Sequence, residues 1–103
     1  MFVHVVLFWL KPGLTAEEVR RFESSLATLV EVSSVIHGWV GAPAATDRPV
    51  VDRTYSYGLT VTFRDLAGHD AYQVDPTHRA FVDQFSHLWD RVKIYDFDPW
   101  KTL

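Results

Sequence analysis

The sequence predicts an α+β fold in which four strands and two helical segments follow one another in the order βαββαβ, the arrangement of a ferredoxin-like domain. Three observations predict it: a first strand that is apolar on both faces, helical periodicity after the first and third strands, and a length of 103 residues, which suits a single domain covering residues 1–103. The expected product is a four-stranded antiparallel sheet with both helical segments on one face.

The first strand is predicted from Phe2 to Leu10, a run of β-branched and aromatic residues that ends at Lys11-Pro12-Gly13. Side chains alternate between the two faces of a strand. One face carries Phe2, His4, Val6, Phe8 and Leu10. The other face carries Val3, Val5, Leu7 and Trp9. Apolar side chains on both faces are typical of a strand that is covered on both sides.

The first helix is predicted to begin at Thr15, which has the capping-box spacing with Glu18, and to run to about Val32. Its apolar residues recur at helical spacing: Val19, Phe22, Leu26, Leu29 and Val30. A second strand is expected from Ile36 to Gly41. The next segment, Ala42–Asp52, contains prolines and has no apolar period, so it is predicted to be the most mobile loop and a candidate lid.

The third strand is predicted from Thr54 to Phe63 and the fourth from Arg91 to Phe97. The third strand alternates, and its apolar face consists of Tyr55, Tyr57, Leu59, Val61 and Phe63. Between these strands we expect a helical stretch from Asp65 to Ala71 and a helix from Pro76 to Asp90. They are separated because the residue before a proline disfavours the helical conformation.

The last predicted helix carries a histidine on its apolar stripe. Asp75 is expected to be the N-cap and Pro76 the first helical residue, so His78 is the third. The stripe continues with Phe81, Val82, Phe85, Leu88 and Trp89. His78 therefore points inward, within a turn or two of Tyr72. The spacing leaves two roles open, a hydrogen-bonded core histidine and a poised acid or base.

Both helical segments cover the same face of the predicted sheet, so the other face has no cover inside the chain. That face carries Val3, Val5, Leu7, Trp9, Tyr95 and Phe97. A patch this apolar is seldom left in water. We therefore expect a second copy of the chain to cover it, in a homodimer with the two sheets face to face.

Charge and composition argue against several classes of protein. The 10 Lys and Arg residues against 13 Asp and Glu residues give a net charge of −3, which predicts no nucleic-acid partner. The absence of cysteine excludes disulfides and thiolate chemistry. The apolar N-terminal run lacks a basic leader and is too short to span a bilayer, so we expect a cytoplasmic protein without a membrane partner.

The five histidines do not predict a metal site, because no two of them have the spacing of metal ligands on one helix. His69, His78 and His87 follow at intervals of nine residues, which turns neighbouring side chains to different sides of a helix. Neither a glycine-rich phosphate loop nor a nucleophile elbow is present. No cofactor is therefore expected.

Several segments of the chain are similar to a known family: His4-Val-Val-Leu-Phe8 with Lys11-Pro-Gly13, the strand Tyr57–Phe63, Tyr72…Asp75-Pro-x-His78…Phe81, and Val92-x-Ile-x-Asp96-Phe97. Together they resemble the stress-responsive A/B barrel (dimeric α/β barrel, or Dabb) family. The resemblance spans nearly the whole chain and implies a dimer of ferredoxin-like protomers. The family includes heat-stable plant proteins, bacterial members of unknown role and a plant polyketide cyclase.

In that cyclase a tyrosine and a histidine perform a cofactor-free aldol cyclisation. The resemblance places Tyr72 and His78 at those two positions and His4 at the position of a pocket histidine. Tyr57 stands where the cyclase has another pocket histidine, and Leu26 stands where it has a tyrosine. A neutral His78 can take a proton next to a carbonyl while Tyr72 donates to the enolate oxygen. In the alternative, Tyr72 and His78 only hydrogen-bond each other or the backbone in a filled core. The apolar neighbours of His4 favour such a structural role for His4 as well.

Two functions therefore stay open. The first is a cofactor-independent cyclase, isomerase or lyase acting on a small polyketide-like carbonyl compound, with His78 and Tyr72 as catalytic residues. Its substrate-binding residues would be His4, Val6, Phe8, Tyr57, Leu59, Phe81, Phe85 and Trp89. The second is a non-catalytic, stress-associated protein that binds a small ligand or acts as a structural dimer. An open cavity reaching both His78 and Tyr72 would favour the first.

Overall fold

The computed structural model describes all residues from 1 to 103. Its strands are β1 Phe2–Leu10, β2 Val35–Gly41, β3 Tyr57–Phe63 and β4 Trp89–Phe97. Its helices are α1 Ala16–Thr28, α2 Leu66–Val74 and α3 Pro76–Phe85, with 3₁₀ turns at Leu29–Glu31 and Ser86–Leu88. The strands form one antiparallel sheet in the order β2-β3-β1-β4, which confirms the ferredoxin-like fold with the first and third strands central. None of the helices has the length and hydropathy needed to cross a membrane.

An aromatic and aliphatic core holds the helices on one face of the sheet. The Phe8 ring of β1 lies 5.6 Å from the Phe22 ring of α1 and 5.9 Å from the Phe81 ring of α3, measured between centroids. The almost fully buried side chains around these rings include Leu26, Leu29, Leu59, Val61 and Phe63. Since burying one such side chain contributes about 1.5–3 kcal/mol, this layer is the main source of stability.

Both predicted helix caps are confirmed. The Thr15 hydroxyl accepts a hydrogen bond from the Glu18 N–H at 3.1 Å, and the Glu18 carboxylate accepts one from the Thr15 N–H at 2.9 Å. The Asp75 carboxylate accepts a hydrogen bond from the Thr77 N–H at 2.8 Å, with Pro76 as the first helical residue. Asp75 also ends α2, so a single residue separates α2 from α3.

The prediction that the last helix runs to Asp90 is wrong, because α3 ends at Phe85. A 3₁₀ turn follows, and Trp89 then begins β4 by pairing with Leu10 of β1. Trp89 fits the helical stripe by spacing alone. Pairing with β1 gives the backbone of this segment other hydrogen-bond partners, and aromatic residues also suit strands.

β3 begins at Tyr57, later than predicted. Its pairing with β1 stops at this residue, and beyond it the N–H of Leu10 donates to the side-chain hydroxyl of Ser56. Because the alternation of faces requires strand geometry, it does not extend to Tyr55. Tyr55 packs edge-on against Trp9 on the face of the sheet away from the helices, so the prediction that it shares a face with Tyr57 is wrong.

Residues 42–56 connect β2 to β3 without a helix or strand, as predicted for the segment Ala42–Asp52. The end of this connection is attached to β1. The Thr54 hydroxyl accepts a hydrogen bond from the Trp9 indole N–H at 2.9 Å, and the Ser56 N–H donates to the carbonyl of Phe8 at 2.7 Å. The first part of the connection is almost entirely exposed, and its mobility stays a prediction.

The face of the sheet away from the helices, called the open face below, is not covered by any helix of the chain. The strand registers place on it Val3, Val5, Leu7, Trp9, Trp39, Tyr95 and Phe97. The Trp39 side chain is 61% exposed, and about half of Tyr95 and Phe97 is exposed. The Arg91 guanidinium covers part of Trp9, with its carbon 4.3 Å from the ring centroid. An isolated chain would leave most of this apolar surface in water.

The close approach of β2 to the turn after α1 depends on Gly38. A Cβ atom at this position would lie 2.8 Å from the Cβ and Cγ1 atoms of Val30, too close without a shift of the backbone. We expect Gly38→Ala to lower the free energy of unfolding by about 1–3 kcal/mol, measured by urea denaturation. Gly41→Ala in the same strand is the control, because a Cβ there meets no atom within 4 Å. Equal stability of the two variants would contradict this interpretation.

Candidate functional site

A cavity of about 240 Å³ lies between the sheet and helices α2 and α3. Ten of its 13 lining residues are hydrophobic or aromatic, and the other three are His4, Gln73 and His78. Apolar walls with a few polar side chains are typical of sites that bind small molecules. The cavity therefore has the composition of a ligand site and is not filled by the side chains around it.

The structure brings together most of the residues that the sequence grouped in the pocket. Those lining the cavity are His4, Val6, Phe8, Leu59, Tyr72, His78, Phe81 and Trp89. Phe85 does not line it, since its ring packs in the core 5.9 Å from the Phe81 ring. Tyr57 lies beside a separate cavity of about 230 Å³ and donates a hydrogen bond to Glu23 at 2.7 Å. Burial, followed by this contact with Glu23, raises the pKa of Tyr57 to about 12.

Some lining residues were missed from the sequence: Leu29, Gln73, Val82, Val92 and Ile94. Val92 and Ile94 lie opposite Phe8 and Val6 in the pairing of β1 with β4, so strand alternation could have identified them. Gln73 had no such signal, because it lies in the last turn of α2 and is not part of the apolar stripe of α3. The candidate lid, Ala42–Asp52, contributes no residue to this cavity.

His78 lies in the first turn of α3 with its Nδ1 atom 3.2 Å from the carbonyl oxygen of Gln73. A carbonyl only accepts hydrogen bonds, so Nδ1 donates, and the neutral ring keeps a lone pair on Nε2. Burial lowers the pKa of His78, although the Gln73 carbonyl and the Asp75 carboxylate oppose this effect. A neutral ring with a free lone pair is the form that a general base requires.

Tyr72 lies against His78, with the two ring centroids 4.7 Å apart. Its side chain is only 1% exposed, and burial raises the pKa of the phenol far above its usual range. The hydrogen bond of His78 goes to the Gln73 carbonyl, and its contact with Tyr72 is one between rings, so the structure does not contain the Tyr72–His78 hydrogen bond of a filled core. The phenol is therefore a protonated donor without a protein partner at the wall of the cavity.

His4 is 2% exposed and lies at another part of the cavity wall. Its Nδ1 atom is 2.5 Å from Oδ1 of Asp96, the residue opposite it on β4. Burial lowers the pKa of His4 more than the Asp96 carboxylate raises it. His4 is thus both a hydrogen-bonded core histidine and a cavity residue, so the two roles considered for it coexist.

A second histidine, His69 of α2, lies next to His4 with the ring centroids 5.2 Å apart. His4, His69 and Asp96 each offer one potential ligand atom, and these atoms lie within 4.8 Å of one another. The sequence did not predict this cluster because its members come from β1, α2 and β4. Spacing along the chain detects ligand pairs only within one element.

We expect both buried histidines, His4 and His78, to titrate below the ordinary histidine pKa of 6.5. Between that value and the lowered pKa values, the unfolded chain binds more protons than the folded chain. The free energy of unfolding should therefore keep its full value above pH 6.5 and decrease as the pH falls below it. NMR titration of the ring protons and thermal melts across this range check both statements. A His78 ring that titrates at or above 6.5 would contradict them.

The sequence is similar over nearly its whole length to a known protein family. The sequence model described as Stress Responsive A/B Barrel Domain matches residues 2–99. Olivetolic acid cyclase of Cannabis sativa is 21% identical over 98 residues, which are 95% of this chain and 96% of the cyclase.

Two solved structures show the same fold. A dimeric ferredoxin-like protein of unknown function from Thermobifida fusca has a TM-score of 0.75 at 21% identity, with 93% of this chain and 88% of that chain covered. Hydroxynitrile lyase from Passiflora edulis has a TM-score of 0.77 at 16% identity, with 99% and 95% covered. At these identities the likeness concerns the fold alone.

Proposed function

The chain belongs to the stress responsive A/B barrel domain family, and from this premise we propose that its cavity binds a small, mostly apolar carbonyl compound and catalyses a cofactor-independent reaction on it. A cyclisation, an isomerisation or a lyase reaction fits. The observation that carries the proposal is the meeting of a partnerless Tyr72 hydroxyl and a neutral His78 ring at one apolar cavity. The names of two similar proteins, a cyclase and a lyase, support it.

The first step would be removal of a proton from the carbon next to the carbonyl group. His78 accepts this proton on Nε2, while its Nδ1–H remains bonded to the Gln73 carbonyl and holds the ring in place. The electron pair moves onto the carbonyl oxygen, where the Tyr72 hydroxyl donates a hydrogen bond to the growing negative charge. The raised pKa of Tyr72 keeps this donor protonated at neutral pH. The proton on His78 returns to the product.

Aromatic side chains form part of the cavity wall. Phe8, Phe81 and Trp89 contribute aromatic rings, and the Phe81 and Trp89 rings are stacked at 5.7 Å. Flat, unsaturated molecules pack well against such surfaces. We therefore propose an aromatic or conjugated ketone, such as a short polyketide, as the substrate class.

Exchange of ketone protons for deuterium tests the role of His78 without knowledge of the natural substrate. With acetophenone in D₂O, we expect the wild-type protein to accelerate exchange of the methyl protons, followed by NMR. His78→Ala should slow this exchange by at least about a hundredfold, because it removes the base. Tyr72→Phe should have a smaller effect, since it removes only one hydrogen bond to the enolate oxygen.

His87→Ala is the matched control, because His87 is exposed and does not line the cavity. It should exchange protons like the wild type. Acetophenone bound in the cavity without faster exchange would refute the catalytic proposal and favour the non-catalytic ligand-binding function. Equal exchange rates for wild type and His78→Ala would exclude His78 as the base.

We also propose that the chain forms a homodimer through the open face. The proposed interface residues are Val3, Val5, Leu7, Trp9, Tyr95 and Phe97. No helix of the chain covers these side chains, and the similar protein from Thermobifida fusca is described as dimeric. A groove beside Leu7, Trp39 and Tyr55, with a volume of about 350 Å³, offers space for side chains of the partner.

Leu7→Glu should dissociate this dimer. An unpaired carboxylate at the buried centre of an interface costs about 3–5 kcal/mol, which raises the dissociation constant by more than roughly a hundredfold. Light scattering after gel filtration at micromolar concentration checks the mass. Val50→Glu is the control, because Val50 lies exposed in the loop after β2 and should leave the dimer intact. A dimeric Leu7→Glu protein would rule out this interface.

A further inference from the structure

We propose that His4, His69 and Asp96 form a binding site for a divalent transition-metal ion such as Zn²⁺. The proposal is independent of the carbonyl chemistry assigned to His78 and Tyr72. It rests on the three side chains meeting at one point, with potential ligand atoms within 4.8 Å of one another. Two imidazoles and one carboxylate are a donor set that binds zinc and other first-row metals.

The separations between the potential ligand atoms range from below to above the separation expected between two ligands of one metal ion. Ligand atoms about 2.0–2.1 Å from a tetrahedral Zn²⁺ ion lie roughly 3.3 Å from one another. His4 and Asp96 are closer than this, at 2.5 Å, whereas the widest separation in the cluster does not exceed 4.8 Å. Small rotations of the Asp96 and His69 side chains would therefore centre an ion. His4 is held in the central strand and needs no movement of the backbone.

The hydrogen-bond contacts of His69 favour the tautomer whose Nε2 atom can bind a metal. Its Nδ1 atom lies 3.0 Å from the carboxylate of Asp70. The Nδ1–H donates a hydrogen bond to this carboxylate, which leaves a lone pair on Nε2. The side-chain amide of Gln73 lies 3.4 Å from that Nε2 atom and donates to it weakly. Histidines that bind metals usually donate their other N–H to a carboxylate in this way. A metal ion would replace the Gln73 amide as the partner of Nε2.

The three residues differ in exposure in a way that suits an accessible ion. The His4 side chain is 3% exposed, that of His69 is 14% exposed and that of Asp96 is 37% exposed. An ion could enter past Asp96 and meet two imidazole rings that are largely shielded from water. With three protein ligands, one coordination position remains for water or a ligand, as in catalytic zinc sites. The ion would lie beside the cavity, because His4 belongs to its wall.

The rival explanation is that His4 and Asp96 form only a structural hydrogen-bonded pair. Substitution of His69 distinguishes the two explanations, because His69 is not part of that pair. Calorimetric titration of the untagged wild-type protein with ZnCl₂ should show one ion per chain. His69→Ala and Asp96→Asn should each weaken Zn²⁺ binding by at least about tenfold. Both residues are less buried than His4, so these variants should fold, which far-ultraviolet circular dichroism checks. His87→Ala is the control for loss of a surface histidine and should bind Zn²⁺ like the wild type.

Cobalt gives a second readout that does not depend on activity. Co²⁺ in a site with three protein ligands should produce visible absorption bands in the wild type, and these should disappear in His69→Ala. No Zn²⁺ binding by the wild type would overturn the proposal. Equal affinity of wild type and His69→Ala would overturn it as well, since binding would then involve other histidines. Neither result would affect the deuterium-exchange test of His78.

Discussion

The central position of β1 is the constraint on which the rest of the molecule depends. This strand pairs with β3 on one side and β4 on the other. The pairing sets His4 opposite Asp96 and turns His4, Val6 and Phe8 toward the helices. The same alternation turns Val5 and the other odd-numbered apolar residues to the open face. A register shift of one residue would exchange these two sets and remove both the cavity wall and the apolar open face.

The break between α2 and α3 is the second constraint, and one residue creates it. Asp75 ends α2 and caps α3, while Pro76 fixes the first backbone angle of α3. Tyr72 at the end of α2 and His78 at the start of α3 are thereby held side by side. The last turn of α2 also presents the carbonyl of Gln73 to His78, and this contact determines which ring nitrogen carries the proton. A continuous helix would turn by about 600° over the six residues from Tyr72 to His78. The two side chains would then lie about 120° apart around its axis, on different sides.

The two faces of the sheet separate assembly from chemistry. The face covered by helices contains the cavity and the polar groups of both proposed sites. The open face is mostly apolar, although the registers also place Thr60, Arg91 and Lys93 on it. A partner chain on the open face would bury Trp39, Tyr95 and Phe97 without contacting His78 directly. Substitutions at the proposed interface and in the cavity should therefore affect different measurements, dimer mass in one case and ligand chemistry in the other.

The sequence by itself determined the order of elements, both helix caps, the two faces of β1 and the place of His78 beside Tyr72, because periodicity and capping act between residues that are near in sequence. Only the tertiary structure decided that β4 begins at Trp89, that Tyr57 donates a hydrogen bond to Glu23 instead of lining the cavity, and that side chains do not fill the cavity. The contact between His69 and His4 also follows only from the tertiary structure. Strand pairing and packing join residues that are distant in sequence, and spacing along the chain carries no record of such contacts.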